Sequence, residues 1–262
     1  DHALVDVADG ATIKNVIVSN ASVSGGDDAG AIVNTAKGDS RIYNCGVLDG
    51  SVSGSGNVGG IVGMLDGSSR VINCFSYANI TGGANVGGIV GYNNVATTSN
   101  NLKTMVMNCM FYGDITGGSN KAPIYNGTNI VNKDANGVGN YNYFYGDASY
   151  VQNQQINTYH CALMAETRFL QRFEFFRHLL NSHRELAAWW ATDDYTNKDE
   201  MAKWVLQPSQ IGTSTPYPVL AKPGYYPSVV NIDAENATTQ TERNKGGLLG
   251  TLSVTIQMGN GA

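Results

Sequence analysis

The apolar positions of the first half of the chain fall into short bursts broken by Gly, Asn, Asp and Ser, and the bursts repeat. Ile13-Lys14-Asn15-Val16 aligns with Ile42-Tyr43-Asn44-Cys45, Val71-Ile72-Asn73-Cys74 and Val106-Met107-Asn108-Cys109, setting the four Asn positions 29, 29 and 35 residues apart. Sixteen or seventeen residues after each Asn stands a second marker: Ile32, Ile61, Ile89 or Ile124. Between the markers lie Val52-Ser53-Gly54, Ile80-Thr81-Gly82-Gly83 and Ile115-Thr116-Gly117-Gly118. Each period of about 29 residues thus carries three short β-prone pieces with turn formers between them, which suits one coil of a solenoid. Coils stacked about 4.8 Å apart place equivalent residues over one another. The Ile and Val markers then form inward stacks, and the glycine pair beside them lets the chain turn sharply. An inward Asn on each coil bonds its neighbours above and below. A β-propeller or antiparallel sandwich competes at this period, whereas the glycine content excludes a helical solenoid.

The second half changes period. Phe169, Phe173, Phe176 and Leu180 recur at spacings of four, three and four, predicting helix over Thr158–Ala191 with an apolar face. A break at Asn181-Ser182-His183 starts a second helix from Arg184 to Trp190, and Asp199–Leu206 reads as a shorter one. Five prolines from Pro208 to Pro227 then forbid regular helix, and Ser228–Asp233 and Leu252–Gln257 are strand candidates. The fold class is therefore mainly β. A short parallel β-helix of about four to five coils over residues 1–150 is followed over 151–262 by a helix-containing α+β cap region and C-terminal strands. The cap is expected to cover the open end of the solenoid near Ile130–Tyr145, where unpaired strand edges would otherwise aggregate.

Composition sharpens the boundary. The first 150 residues hold 25 of the 32 glycines and no Glu, while all three Trp lie beyond them. With a net charge of −5 and 14% charged residues, the chain has no basic footprint for nucleic acid. No apolar run reaches the length of a membrane span. Both ends look cut through structured sequence, so the chain reads as a fragment whose lack of a leader locates nothing.

Asn57-Val58-Gly59-Gly60-Ile61-Val62-Gly63 and Asn85-Val86-Gly87-Gly88-Ile89-Val90-Gly91, each followed by a polar turn and an Ile-x-Asn-Cys-type strand, resemble the GLUG repeat of bacterial surface proteins. The likeness weakens at Ala29-Gly30-Ala31-Ile32-Val33, degenerates at Lys121-Ala122-Pro123-Ile124, and covers roughly residues 11–145. Such repeats occur in some IgA-cleaving peptidases and in many large surface proteins of gut Bacteroidota. The resemblance implies surface display and a scaffold, and it brings no catalytic residue with it.

Cys45, Cys74 and Cys109 share one repeat position, and Cys161 stands apart. In-register parallel strands hold Cβ atoms near 4.8 Å, beyond the 3.5–4.5 Å usual for a disulfide, and a column of thiols without His or carboxylate is a poor zinc site. The expectation is a buried, reduced thiol column. Polysaccharide-cleaving β-helices need converging carboxylates. Here Asp49 is matched by Asn20, Ala78 and Gly113, and Asp114 by Gly50 and Asn79, so acids do not stack. Asp27-Asp28 reads as a solvated turn pair, and His160, His178 and His183 lack metal-site spacing. No metal or cofactor is expected. The aromatic cluster where the repeats end, with Tyr141, Tyr143 and Tyr145, and the nearby Trp189 and Trp190, are candidate ligand contacts for a sugar ring. The blander reading makes the same aromatics the glue between helices and last coil.

The expected function is a non-catalytic cell-surface scaffold or adhesion module of a larger extracellular bacterial protein. Its partner would be a host or bacterial surface protein or glycan. The alternatives are a carbohydrate-binding or polysaccharide-cleaving β-helix domain and an accessory segment of a surface peptidase.

Overall fold

A computed structural model of the chain describes residues 2–94, 106–127, 141–145, 162–163, 180–181, 201–205, 219–220, 230–232 and 254–256. The first coil lays down five short strands, β1 (Val5–Asp9), β2 (Thr12–Lys14), β3 (Ile17–Val18), β4 (Ala21–Ser24) and β5 (Asp28–Gly30). The second repeats them as β6 (Val33–Lys37), β7 (Arg41–Tyr43), β8 (Gly46–Val47), β9 (Gly50–Gly54) and β10 (Asn57–Gly59). The third carries β11 (Val62–Leu65), β12 (Arg70–Ile72), β13 (Phe75–Ser76), β14 (Asn79–Gly82) and β15 (Asn85–Gly87). The fourth carries β16 (Val90–Asn93), β17 (Val106–Met107), β18 (Met110–Tyr112), β19 (Ile115–Gly117) and β20 (Asn120–Ala122). Then come β21 (Tyr125–Gly127), β22 (Tyr143–Tyr145) and β23 (Ala162–Leu163).

Each strand pairs in parallel with its counterpart one coil away, so five sheets run side by side, such as β1-β6-β11-β16-β21 and β3-β8-β13-β18-β22-β23. This is a parallel β-solenoid of about four turns. The register follows the sequence repeat: Ile42 pairs with Ile13 and Val71, and Val58 with Ala29 and Val86. Five strands per coil stand where three were expected. One extra is the strand that follows the repeated Asn, only two residues long in β3, β8 and β13, and the other arises because the Gly-Gly-Ile-Val piece is split between two sheets, as in β10 and β11.

One apolar core runs along the solenoid. It contains the markers Ile32, Ile61, Ile89 and Ile124 together with Cys45, Cys74 and Cys109. The glycine pair acts differently from expectation. Gly59, Gly60, Gly87 and Gly88 are not among the positive-φ residues, so they are needed for closeness. A Cβ on Gly59 would stand 2.1 Å from the Val62 carbonyl oxygen, and one on Gly88 would meet the Phe111 ring at 2.3 Å.

The later segment departs from the sequence expectation. Most of Thr158–Ala191, including Phe169, Phe173 and Phe176, lies outside the described residues. Ala162–Leu163, expected in helix, instead pairs in parallel with Tyr143–Phe144. Leu180 and Asn181 are helical. Trp204–Val205, read as helix within Asp199–Leu206, is β24 and pairs antiparallel with β25 (Val219–Leu220). Leu180 does not sit over the open end of the solenoid. It packs with Trp204 against Phe75, Tyr77 and Met110 on a lateral flank. The chain divides into two compact units, Asp1–Leu220 and Ala221–Ala262. In the second, the two strand candidates contain β26 (Val230–Ile232) and β27 (Val254–Ile256), which pair antiparallel. No helix among the described residues is long and apolar enough to cross a membrane.

Candidate functional site

The repeated Asn is a corner residue. Asn15, Asn44, Asn73 and Asn108 all have φ between 51° and 57°, the left-handed region in which Asn is the best-tolerated residue after Gly. The bend separates β2, β7, β12 and β17 from the short strands β3, β8, β13 and β18 that follow. Each amide reaches the coil before it: Asn44 Nδ2 donates to Asn15 Oδ1 at 2.5 Å, Asn73 to Asn44 at 2.9 Å and Asn108 to Asn73 at 2.5 Å. The expected coil-to-coil bonding is therefore present, but the column does not look into the main core. It faces the later segment: Asn44 Nδ2 also donates to the Ala202 carbonyl at 2.9 Å, and Ala202 N donates to Asn15 Oδ1 at 3.0 Å.

Beside this amide column these short strands present outward side chains in register, with Phe75 over Gly46 and Met110 over Phe75. They form a second apolar cluster of Phe75, Tyr77, Met110, Leu180 and Trp204, fringed by Ile17, Leu48, Tyr112, Tyr143 and Leu220. Phe75 meets Trp204 edge-on at 5.0 Å between ring centroids and Tyr77 at 5.5 Å. Tyr77 and Tyr112 lie on successive coils with rings 5.1 Å apart. Full burial of Phe75 and Trp204 contributes roughly 1.5–3 kcal/mol for each side chain. This flank is where the two halves of the sequence meet.

The sequence-predicted aromatics divide. Tyr143 is half-buried on the fringe of the flank cluster, where burial, and secondarily Tyr141, pushes its hydroxyl above the ordinary range. Tyr145 continues the same strand opposite Tyr112. Tyr141 has a φ of 53° and, two residues before the Tyr143–Met110 pair, occupies the corner that Asn fills on earlier coils. Trp189 and Trp190 lie outside the described residues. Tyr77 and Tyr112 were not singled out as site residues. Only the register shows that Tyr77 and Tyr112 stand in one column and that distant Trp204 closes over their neighbour Phe75.

The thiols form the expected column. Cys45, Cys74 and Cys109 are buried and free of disulfides. Cys45 N donates to Cys74 Sγ at 3.4 Å. At the next coil Asn142 takes the place of a fourth cysteine, accepting from Cys109 N at 2.8 Å and donating to the Val106 carbonyl at 3.0 Å. Desolvation, then the neighbouring thiol, pushes Cys45 and Cys74 well above the ordinary thiol value, so both stay protonated and unreactive.

Asp28 is less solvated than a turn carboxylate. Its Oδ1 accepts from Asn57 Nδ2 at 2.9 Å and its Oδ2 from Thr35 Oγ1 at 2.8 Å. It ends a second amide column in which Asn85 donates to Asn57 at 2.7 Å and Asn120 to Asn85 at 3.0 Å. Asp114 follows Asn79 in its column, and the residue beyond is Ser51, one place from the expected Gly50. Among the described residues no group of three or more His, Cys, Asp or Glu side chains is placed to hold a metal ion. No known family, curated protein or solved structure matches the chain.

Proposed function

We propose that this chain is a non-catalytic scaffold or adhesion module of a larger bacterial cell-surface protein, built from GLUG-like repeats. One observation carries the reading. The side chains best suited to chemistry are engaged with each other from coil to coil: the Asn15–Asn108 column, the Asp28–Asn120 column and the Cys45–Cys109 column. Groups bonded in this way hold register, and they are not free to shuttle protons or attack a substrate. The partner is a surface protein or glycan, met on the open faces of the coils. Small polar side chains such as Ser22, Ser24, Ser51, Thr81 and Thr116 project there from β4, β9, β14 and β19.

The test is paired. Arrays of glycans and extracellular-matrix proteins are probed with the purified chain, and the same glycans are incubated with it and assayed for new reducing or unsaturated ends. Retention on an array without product supports the reading. Product formation that scales with the chain's concentration overturns it.

A further inference from the structure

We propose that Leu180–Asn181 and Met201–Val205 form a strap that opens and closes over the aromatic flank as one unit, with Asn73 as a weak catch beneath it. This inference does not depend on the adhesion reading.

The strap is tied to itself. Asn181 Nδ2 donates to the Trp204 carbonyl at 2.8 Å, and Trp204 N donates back to Asn181 Oδ1 at 3.0 Å. Its grip on the solenoid is firm at one end. Ala202 donates to Asn15 Oδ1 and accepts from Asn44 Nδ2, which fixes both amides and turns Asn44 Oδ1 toward Asn73.

At Asn73 two demands collide. With its nitrogen toward Asn44 Oδ1, the column is served, but that nitrogen also faces the donor Trp204 Nε1, and the Asn73 oxygen faces the Leu180 carbonyl. Turned over, the amide donates to the Leu180 carbonyl at 3.0 Å and accepts from Trp204 Nε1 at 3.2 Å. Its oxygen then abuts Asn44 Oδ1 at 2.9 Å and its nitrogen abuts Asn108 Nδ2. Turning Asn108 as well repairs only the second clash, because Ala202 holds Asn44 in place. Asn108 is itself fully buried with its Oδ1 unpartnered, since the next corner is Tyr141 and offers no amide.

Every orientation leaves a like-to-like contact while the strap is closed. With the strap lifted, a single polarity matches every amide-to-amide contact from Asn15 to Asn108. The closed state therefore holds a mismatch that the open state lacks, and buried mismatched polar groups are costly. Opening uncovers Phe75, Tyr77 and Met110 beside the amide column.

Native-state hydrogen exchange on the full chain tests this. The Ala202 amide, whose bond to Asn15 breaks when the strap lifts, is compared with Ile61 N, which donates to the Ile89 carbonyl inside the solenoid. The Ala202 amide should exchange at least about tenfold faster than Ile61, with little dependence on denaturant, as local opening requires. Two variants locate the catch, and glycine accepts the left-handed backbone at both sites. Asn44→Gly should speed strap exchange by about tenfold, the loss of one net hydrogen bond. Asn73→Gly should change it by less than about threefold, because favourable and unfavourable contacts leave together. An Ala202 amide exchanging together with Ile61 would overturn the proposal, and so would Asn73→Gly accelerating as much as Asn44→Gly. The wild-type comparison decides the matter even where a variant fails to fold.

Discussion

Replacing Gly59 by Ala asks whether the coils are as close as the structure places them. The new Cβ would stand 2.1 Å from the Val62 oxygen, 2.5 Å from Gly91 N and 2.8 Å from the Ile89 oxygen. All three neighbours are backbone atoms belonging to the turn and to the next coil. No side chain can swing aside, so the strand pair must separate. Overpacking a core costs about 1–3 kcal/mol where side chains yield, and a backbone clash on three sides belongs at or above the top of that range. At about 2–4 °C per kcal/mol for a chain of this size, the melting temperature should fall by roughly 6–12 °C. Gly26→Ala is the matched control. Nothing lies within 4 Å of its added Cβ, and its φ is not positive. It should be neutral, or stabilising by about 0.4–1 kcal/mol through the unfolded chain. Urea unfolding followed by circular dichroism gives both values, with an unchanged m-value as the check that only stability moved. Gly59→Ala within about 0.5 kcal/mol of wild type would refute the close approach and the register that produces it.

Three further outcomes follow from the core and the flank. Cys45, Cys74 and Cys109 should react with a disulfide-forming dye only as fast as the solenoid opens, and a mass showing a Cys45–Cys74 or Cys74–Cys109 bond would contradict the column. Burial raises the Cys45 and Cys74 thiols above their unfolded value, so the folded chain keeps protons that the unfolded chain releases in alkali. Stability should be level below about pH 8 and fall above about pH 9, by up to about 1.4 kcal/mol per pH unit for each thiol. A denaturation midpoint that rises over that window would show the sign to be wrong. A chain ending at residue 150 lacks Leu180 and Trp204 and leaves Phe75, Tyr77 and Met110 bare. It should aggregate or bind a hydrophobic dye, whereas a monomer melting as cooperatively as the full chain would show that the halves fold independently.

The solenoid was legible because its signal is periodic. Residues such as Ile61 and Ile89 recur in sequence at the same interval at which they stack in space. Some of what lay outside that period was misread. Ile17–Val18, Gly46–Val47 and Phe75–Ser76 are strands only because each borrows a neighbour's hydrogen bonds, so no local alternation marks them. The glycine pair looked like a turn because sequence shows the missing side chain and not the backbone that comes close. Met201–Val205 was taken for helix on local propensity. Its last two residues are a strand because Val219–Leu220 pairs with them, and the amides of Asn15 and Asn44 hold Ala202 from far along the chain. Tyr141 belonged to the repeat all along, but its left-handed backbone is the kind that an aromatic side chain conceals. The thiol column was foreseen, and Asn142 as its end was not.

The parallel, in-register stacking of coils is the claim on which the rest stands, and paired spin labels measure it directly. Ser24 pairs with Ser53, Ser53 with Thr81 and Thr81 with Thr116, all on one outward column of the β4-β9-β14-β19 sheet. Cysteines carrying nitroxides at Ser24 and one of Ser53, Thr81 or Thr116 should report separations rising in steps of one coil, near 5, 10 and 14 Å. Dipolar broadening of the continuous-wave spectrum should therefore be strongest for 24/53, weaker for 24/81 and weakest for 24/116. A spectrum in which 24/116 is broadened as much as 24/53, or in which the three pairs follow no order, would contradict the solenoid itself.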